Sequence, residues 1–361
     1  MLYYLQTIPG LGPLAWQEVQ QRLSTSDTEG LSDSSSIRFV PGRNDIVLLR
    51  YAGNPRALLN LRVSEDVFAV TVRAFHVVSD ERGLRQMYAA TRETRAVGDA
   101  LTAWKKALNT RRVPSTFRMV VRAVGSHRFT RRQIGQAVAD AIKAGWPGRW
   151  RQVDEDADVE IWATLLEHEL LCGLRLSSVD MRQRGTKTHL PAALRPALAA
   201  AMVMLTEPEP DDVFLDPLAG TGTLLVERAA AGPFRELYGS DINTDAVRAM
   251  LVNTRKIHGQ VTCERWDARH LPLPDASVDK IAMNMPFGKQ VAPDADLPVL
   301  YREILAEVQR VLRPGGRLVV LVGDARMLNA ARTAAARQLR PGQRQRVEVL
   351  GMGVTICIFD R

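Results

Sequence analysis

The sequence has few cysteines and no long apolar run, and both shortages narrow the class of protein. Its three cysteines, Cys172, Cys263 and Cys357, lie far apart, with neither a CxxC pair nor a histidine pair nearby. This pattern argues against structural zinc and against disulfides. The longest apolar runs, such as residues 318–323, are far shorter than the ~20 residues that cross a bilayer. We therefore expect reduced cysteines, no bound metal and no membrane span.

The amino terminus also lacks the basic flank, apolar segment and small-residue cleavage site of a secretory signal. A cytoplasmic monomer is the expectation. The chain has 361 residues, of which 46% are hydrophobic and 24% charged. This length and composition suit two or three globular domains with ordinary packed cores.

Acidic residues are almost missing from one part of the chain. Residues 101–150 contain eleven basic residues and a single acid, Asp140, whereas residues 201–250 are net −6. The formal net charge of +8 is therefore concentrated in one segment. A solvated helical face is the usual explanation of a charge run, but a local basic surface also suits a polyanion such as nucleic acid.

The first half of the chain predicts two small α+β units. Helices are expected near 13–23, over 54–63, 82–95 and 99–112, and from Thr130, which can cap a helix whose apolar stripe includes Ile134 and Val138. Strands are expected at 37–41, 45–51 and 116–127, followed by a hairpin over 157–176. The units divide near residue 75, and a polar connector follows at 178–188.

From residue 189 onward, helical and strand patterns alternate. Strands are predicted at 212–217, 236–242, 261–268, 278–286 and 317–324, with helices at 191–205, 223–232, 244–259 and 299–316. This alternation predicts right-handed crossovers and a mostly parallel, doubly wound α/β sheet.

A glycine-rich turn lies between the first strand and helix of this region. Gly220 and Gly222 allow a tight turn and close approach of a ligand, and the next helix offers free N–H groups. The turn lacks the GK[ST] of a phosphate-binding loop. A GxG pattern alone is weak evidence, because many strand-to-helix turns need glycine.

Three acids strengthen the interpretation. Asp241 and Asp267 are placed at the ends of the next two strands, where they could accept hydrogen bonds from ribose hydroxyls and an adenine amine, respectively. Asp216 precedes the glycines, where a carboxylate would repel a pyrophosphate but suits a sulfonium-linked amino acid. The acids could be simple helix caps, but their combination indicates S-adenosyl-L-methionine and disfavours a dehydrogenase.

The segment NMPFG, which starts at Asn284, follows the fourth strand at the same edge of the sheet. The Asn284 oxygen and a backbone carbonyl, of Met285 or Pro286, could each accept one N–H of a base amine and aim its lone pair at the methyl donor. Phe287 could stack on the unstacked base, and Gly288 leaves room for it. A plain turn would also contain Asn, Pro and Gly.

These residues resemble the amino methyltransferases, in the variant found in THUMP-domain RNA methyltransferases. Residues 116–142 resemble the THUMP core, so the resemblance covers nearly the whole chain. It implies a Rossmann-like class I methyltransferase domain preceded by ferredoxin-like and THUMP α+β domains. The expected bounds are 1–75 (ferredoxin-like), 76–177 (THUMP, RNA-binding), 178–188 (linker) and 189–361 (catalytic).

The most similar members act on the N2 amine of a guanosine at position 6 of the tRNA acceptor stem, which gives the expected function. The resemblance assigns Asn284, Pro286 and Phe287 to the amine, and Asn284 also to the cofactor site. The other expected cofactor residues are His189, Leu190, Pro191, Ala192, Ala193, Asp216, Gly220, Thr221, Gly222, Asp241, Asp267 and Ala268.

The resemblance also gives the THUMP part the task of binding tRNA by shape and phosphate contacts. The candidate residues are Arg118, Arg122, Arg128, Arg131 and Arg132. Met285 replaces the second proline of many relatives, so adenine and cytosine remain open as target bases. Three other functions also remain open at this point: an rRNA guanine methyltransferase, a tRNA guanine-N2 methyltransferase that acts at another position, and a non-catalytic RNA-binding protein.

Overall fold

The computed structural model describes residues 1–30, 37–39, 44–178, 180–184, 193–287, 296–349 and 351–361. The chain separates into two compact units. Unit 1 contains Met1–Thr7 and Gly12–Met181, and unit 2 contains Ile8–Leu11 and Arg182–Arg361.

Unit 1 is built around one sheet. Its helices are α1 (Gly12–Arg22), α2 (Glu81–Glu93), α3 (Val97–Leu108) and α4 (Arg131–Gly145). Its strands are β1 (Leu2–Thr7), β2 (Thr28–Gly30), β3 (Ile37–Arg38), β4 (Asp45–Tyr51), β5 (Asp66–Ala74), β6 (Thr116–Val124), β7 (Arg151–Gln152), β8 (Val159–Leu166) and β9 (Glu169–Arg175). The described strands are ordered β2-β4-β1-β5-β9-β8-β6-β7, with β3 also paired to β4.

The sheet of unit 1 continues across the expected boundary at residue 75. Strands β5 and β9 pair antiparallel, from Phe68 opposite Arg175 to Ala74 opposite Leu170. Phe68 lies 5.1 Å from Trp162 between ring centroids, and both belong to one hydrophobic cluster that joins the cores of the two segments. The two predicted parts, ferredoxin-like and THUMP, therefore share one sheet. Their division near residue 75 remains a prediction.

Local sequence signals explain most elements of unit 1. The Thr130 side chain accepts from the Gln133 N–H and the Gln133 side chain binds back, which forms the capping box that starts α4. The predicted hairpin forms as β8 and β9. The predicted helix over 54–63 was wrong, because Pro55–Asn60 forms a short 3-10 helix that ends at the extended Leu61.

Unit 2 is a helix-covered sheet, and the short helix α5 (Asp180–Gln183) precedes it. Its other helices are α6 (Pro196–Leu205), α7 (Thr223–Ala231), α8 (Thr244–Thr254), α9 (Leu297–Val311) and α10 (Ala325–Ala335). Its strands are β10 (Val213–Asp216), β11 (Glu236–Ser240), β12 (Gln260–Glu264), β13 (Val278–Asn284), β14 (Leu312–Val322), β15 (Arg340–Val349) and β16 (Met352–Asp360).

The strand order of unit 2 is β12-β11-β10-β13-β14-β16-β15. Strands β10 to β14 run parallel, and β16 pairs antiparallel with β14. The chain moves outward from β10 through β11 to β12 and then returns to β13 on the other side of β10. This change of direction is the switch point at which open α/β sheets bind ligands.

The predicted α/β class is confirmed, with four differences in detail. The helix predicted over 299–316 ends at Val311, and Leu312 already begins β14. The helix predicted from residue 191 begins at Pro196 within the described residues, because proline suits a first helical position and the preceding Arg195 is extended. The third strand of the catalytic region ends at Glu264 and not at Ala268. The sequence patterns also missed α10, β15 and β16.

Candidate active site

The carboxyl ends of β10, β11 and β13 bring together most of the predicted site residues. Asp216 ends β10, Asp241 follows β11 directly, and Asn284 ends β13. Because β10 pairs with both β11 and β13, these three positions lie on adjacent strands at one edge of the sheet.

The glycine-rich turn adopts the backbone conformation that its residues favour. Gly220 and Gly222 have φ angles of +51° and +82°. A Cβ atom on Gly222 would lie 2.9 Å from Met250 Cγ, whereas one on Gly220 would meet no atom within 4 Å. Gly222 is therefore required by the packing of the protein itself, and Gly220 borders open space. Thr221 is buried, and its carbonyl accepts from Asn253 Nδ2 at 3.0 Å.

Asp241 holds the glycine turn in place. Its Oδ2 accepts from the Gly220 N–H at 3.0 Å, and its Oδ1 accepts from the Asn243 N–H at 2.9 Å. A carboxylate offers about four lone-pair sites. Asp241 therefore keeps acceptor capacity for a pair of hydroxyl groups.

The placement of Asp267 at the end of the third strand was wrong. The strand ends at Glu264, and Asp267 lies three residues further, in an isolated bridge with His270. The Arg269 guanidinium donates to Asp267 through Nε at 3.0 Å and Nη2 at 2.7 Å. This hydrogen bonding is the main reason why the pKa of Asp267 is lowered. Ala268 is buried in the hydrophobic core, so its methyl group faces protein.

Asp216 is more deeply buried than expected of a carboxylate that faces a ligand. It is 1% exposed, and its Oδ1 accepts from the Leu218 N–H at 3.1 Å. Burial raises the pKa of Asp216 well above its ordinary value of 3.8, and the negative charge of Asp241 raises it further. The folded protein therefore holds this proton more tightly than the unfolded chain does.

This shift predicts that Asp216→Asn stabilises the protein at neutral pH. Since the folded-state pKa is raised, the native carboxyl costs stability as pH rises above 3.8, and the amide does not. We expect Tm to rise by at least about 3 °C at pH 7, since roughly 1 kcal/mol corresponds to 2–4 °C for a domain of this size. The difference should vanish near pH 4.

Thermal unfolding of both proteins between pH 4 and pH 8 measures this effect. Asp245→Asn is the matched control, because its exposed carboxylate pairs with the exposed Arg248. An equal or lower Tm for Asp216→Asn at pH 7 would contradict the prediction that the buried carboxyl group costs stability at this pH.

Asn284 carries an unsatisfied acceptor at the centre of the site. Its side-chain oxygen Oδ1 is buried and has no hydrogen-bond partner within the described residues. Buried polar atoms are nearly always paired, and exceptions need an explanation such as an absent ligand. The backbone N–H of the next residue, Met285, donates to Leu321 O of β14 at 3.0 Å and so fixes the start of the turn.

The two carbonyl candidates after Asn284 differ in their surroundings. The Pro286 carbonyl accepts from the Tyr301 hydroxyl of α9 at 2.8 Å. This bond uses one of its two acceptor sites. Phe287 is half-buried, and a Cβ atom on Gly323 would lie 3.1 Å from Phe287 Cβ. The turn is thus held by β14 on one side and by α9 on the other.

Several predicted residues lie elsewhere or outside the described residues. His189, Leu190, Pro191, Ala192 and Gly288 fall outside them. Ala193 is described and half-buried, in the irregular segment before α6.

The candidate arginines divide into two groups in unit 1. Arg128, Arg131 and Arg132 are exposed around the start of α4. Arg122 is half-buried, with its guanidinium 4.2 Å from the ring centroid of Trp162. Arg118 is exposed and lies 4.0 Å from Glu160.

Sequence reasoning missed Tyr301 and Gly323. A signal for Tyr301 existed, because it shares the apolar face of its helix with Ile304, Leu305 and Val308, all of which are buried. A buried tyrosine needs a partner for its hydroxyl. No signal in the sequence identified that partner.

Neither a membrane helix nor a metal-binding cluster occurs in the described part of the chain. None of its helices is long and apolar enough to cross a membrane. Its His, Cys, Asp and Glu side chains form no group suited to a metal ion.

Fold and site together define a Rossmann-like domain of the methyltransferase type. Residues 183–350 match the UPF0020 family, an RMKL-like methyltransferase domain.

Relatives extend the similarity into the first half of the chain. The chain is 29% identical over 286 residues to mouse tRNA (guanine(6)-N(2))-methyltransferase THUMP3, covering 73% of this chain and 56% of the relative. It is 30% identical over 220 residues to the tRNA (guanine(6)-N2)-methyltransferase of Thermus thermophilus, covering 60% of this chain and 64% of that protein. The predicted resemblance is therefore confirmed. The chain spans only about half the length of the mammalian relatives.

A solved structure matches the whole fold. TrmN from Thermus thermophilus aligns with a TM-score of 0.78 and 22% identity, covering 100% of this chain and 99% of that chain. The predicted combination of an α+β region and a Rossmann-like domain is thus confirmed as a fold.

Proposed function

We propose that this protein transfers a methyl group from S-adenosyl-L-methionine to the exocyclic N2 amine of a guanosine in tRNA, at position 6 of the acceptor stem. The observation that carries the proposal is the unpaired Asn284 oxygen at the switch point of the sheet, within the described residues. The relatives named for guanine(6)-N2 methylation support the choice of base and substrate.

The described residues fit the proposed cofactor. Gly220 borders open space, and Asp241 keeps acceptor capacity for the ribose hydroxyls. Asp216 precedes the same turn, but it is 1% exposed, so its carboxyl group is not counted toward this fit. When bound, the cofactor supplies a methyl group on a sulfonium centre, which is a good leaving group.

The residues of the turn would prepare the amine for attack. Asn284 Oδ1 accepts one N–H of the guanine amine and the Met285 carbonyl accepts the other. We assign the second role to Met285 because Tyr301 already occupies one of the two acceptor sites of the Pro286 carbonyl. The two acceptors hold the nitrogen lone pair in line with the methyl carbon.

Charge and protons balance without a dedicated base. Transfer from the bound cofactor would form a bond between the amine nitrogen and the methyl carbon, with the electrons of the broken carbon–sulfur bond left on sulfur. The methylated amine then loses a proton to solvent. Phe287 stacks on the base and keeps it out of the RNA stack.

We also propose that unit 1 binds the tRNA, with the exposed Arg128, Arg131 and Arg132 as phosphate contacts. They surround the start of α4, where free N–H groups add to the attraction for anions. Arg118 and Arg122 are weaker candidates, since they already contact Glu160 and Trp162. The bounds 1–75, 76–177, 178–188 and 189–361 belong to the same proposal.

The test is mass analysis of nucleosides after the purified protein has reacted with a tRNA transcript and methyl-labelled cofactor. We expect N2-methylguanosine at position 6. A transcript with inosine at that position is the matched control, because inosine lacks only the N2 amine, and it should stay unlabelled.

Three contrary results would each favour a different function. Label on adenosine or cytidine alone would contradict the choice of guanine. Preferential labelling of rRNA fragments in competition would contradict tRNA as the substrate. Absence of cofactor binding in calorimetry would favour a non-catalytic RNA-binding protein.

A further inference from the structure

Tyr301 of α9 carries a hydroxyl group that the packing of this helix does not require. Helix α9 packs against the sheet with an apolar face that includes Ile304, Leu305 and Val308. Tyr301 lies on this face and is 1% exposed. A phenylalanine or leucine would fill the same space, so packing alone does not require its hydroxyl group.

The hydroxyl reaches the turn that carries the proposed amine acceptors. It donates to the Pro286 carbonyl at 2.8 Å, from a position 15 residues further along the chain. The bond therefore connects α9 directly with the turn after β13. Pro286 lies two residues beyond Asn284 and directly before Phe287.

The other contacts of the turn, among the described residues, do not fix the orientation of the Pro286 carbonyl. At the start, the Met285 N–H is bound to Leu321 O at 3.0 Å. The pyrrolidine ring fixes φ of Pro286. At the end, Phe287 packs against the backbone of Gly323. The ring does not fix the rotation that orients the Pro286 carbonyl, and Tyr301 supplies that restraint.

We propose that Tyr301 is a positioning residue, which orients the turn so that the Met285 carbonyl and the Phe287 ring are fixed relative to Asn284. This inference rests on the proposed function and deepens it. Tyr301 touches neither amine nor cofactor, and it acts only through Pro286. Displacement of a reacting group by about 1 Å costs roughly 100-fold in rate.

Tyr301 remains a hydrogen-bond donor throughout the working pH range. Burial raises the pKa of Tyr301 to about 12, and the nearby charge of Asp324 contributes. The hydroxyl therefore does not act as a proton acceptor at neutral pH, which leaves orientation as its contribution.

The experiment is Tyr301→Phe, which removes only the oxygen atom. We expect kcat to fall about 10–100-fold. The calorimetric Kd for the cofactor should stay within about twofold, and the pH profile below pH 9 should keep its shape, because no ionisation is lost. Tyr238→Phe is the matched control. It removes a half-buried hydroxyl from the middle of β11 in the same unit, and kcat should not change.

The outcomes decide the proposal. An unchanged kcat in Tyr301→Phe would overturn it. Loss of cofactor binding, or a fall in Tm of more than about 10 °C, would also overturn it, because Tyr301 would then be a structural residue.

Assays of the wild-type protein distinguish failure of the proposed function from failure of this inference. If the wild type methylates another amine, the choice of guanine fails, but the Tyr301 comparison still tests the turn. If the wild type binds the cofactor and transfers no methyl group to RNA, both proposals fail.

Discussion

Asn284→Ala is expected to lower kcat by about 100- to 1,000-fold, the range seen when one preorganised hydrogen-bonding group is removed from an active site. The variant loses the acceptor that would hold one N–H of the guanine amine. Cofactor affinity should change little, because the glycine turn and Asp241 stay intact. Single-turnover methyl transfer and calorimetry with the cofactor measure the two quantities.

The same substitution should leave the fold as stable as before, or slightly more stable. Asn284 Oδ1 has no partner within the described residues, so its removal breaks no hydrogen bond of that atom. Removal of a buried unpaired polar atom relieves its desolvation cost. A group with this signature, in which activity falls and Tm does not, serves a ligand and not the fold.

Two further variants serve as controls for Asn284. Asn284→Asp keeps acceptor oxygens at the same place and should retain more activity than the alanine variant. Asn329→Ala removes a carboxamide from α10, where its oxygen accepts from Arg332, and kcat should stay normal. Full activity of Asn284→Ala would contradict the role of this residue in holding the amine.

Arg228→Ala is expected to destabilise unit 2 by about 3–5 kcal/mol, the typical cost of breaking a buried ion pair. The Arg228 side chain is fully buried. It donates to Asp212 Oδ2 at 3.3 Å and to three backbone carbonyls, those of Glu209, Gly232 and Pro233. The variant would remove the Arg228 donor from the three carbonyls and leave the Asp212 charge without its buried ion-pair partner.

The pKa shifts of the pair agree with this cost. Burial is the main reason why the pKa of Asp212 is raised and that of Arg228 is lowered. Both shifts favour the neutral forms, so desolvation of each charge outweighs its attraction to the other. The intact pair adds little net stability by itself, but each partner depends on the other.

Scanning calorimetry of wild type and Arg228→Ala measures the effect. A loss of this size should lower Tm by roughly 10 °C, given about 2–4 °C per kcal/mol. Arg248→Ala is the matched control, since its pair with Asp245 is exposed on both sides. That variant should lose less than about 1 kcal/mol. Equal unfolding temperatures for the two variants would contradict the structural role of Arg228.

The sequence was sufficient to predict the edge of the sheet at which the site lies. Gly220, Gly222, Asp241 and Asn284 each stand where an apolar strand pattern stops, and the carboxyl ends of parallel strands meet at one edge. The alternation of strands and helices therefore predicts which residues lie together at that edge. That the Asn284 oxygen has no hydrogen-bond partner among the described residues was not predictable, because this depends on every side chain packed around it.

Features that depend on pairing register or on distant contacts were not predictable. The third strand ends where Ser240 pairs with Glu264, so the position of Asp267 depends on its partner strand and not on its own pattern. Strands β15 and β16 pair as an antiparallel extension of a parallel sheet, which no alternation with helices indicates. Arg122 was predicted to contact RNA, but its guanidinium lies 4.2 Å from the ring centroid of Trp162 on the neighbouring strand β8.

The central claim is that Asn284 and Met285 hold a guanine amine between them. The most direct test is a crystal structure of the protein with S-adenosylhomocysteine and a tRNA acceptor stem. We expect guanine N2 to lie about 3 Å from both Asn284 Oδ1 and the Met285 carbonyl oxygen. A guanine amine held by other residues, with the Asn284 side chain directed away from it, would contradict this claim.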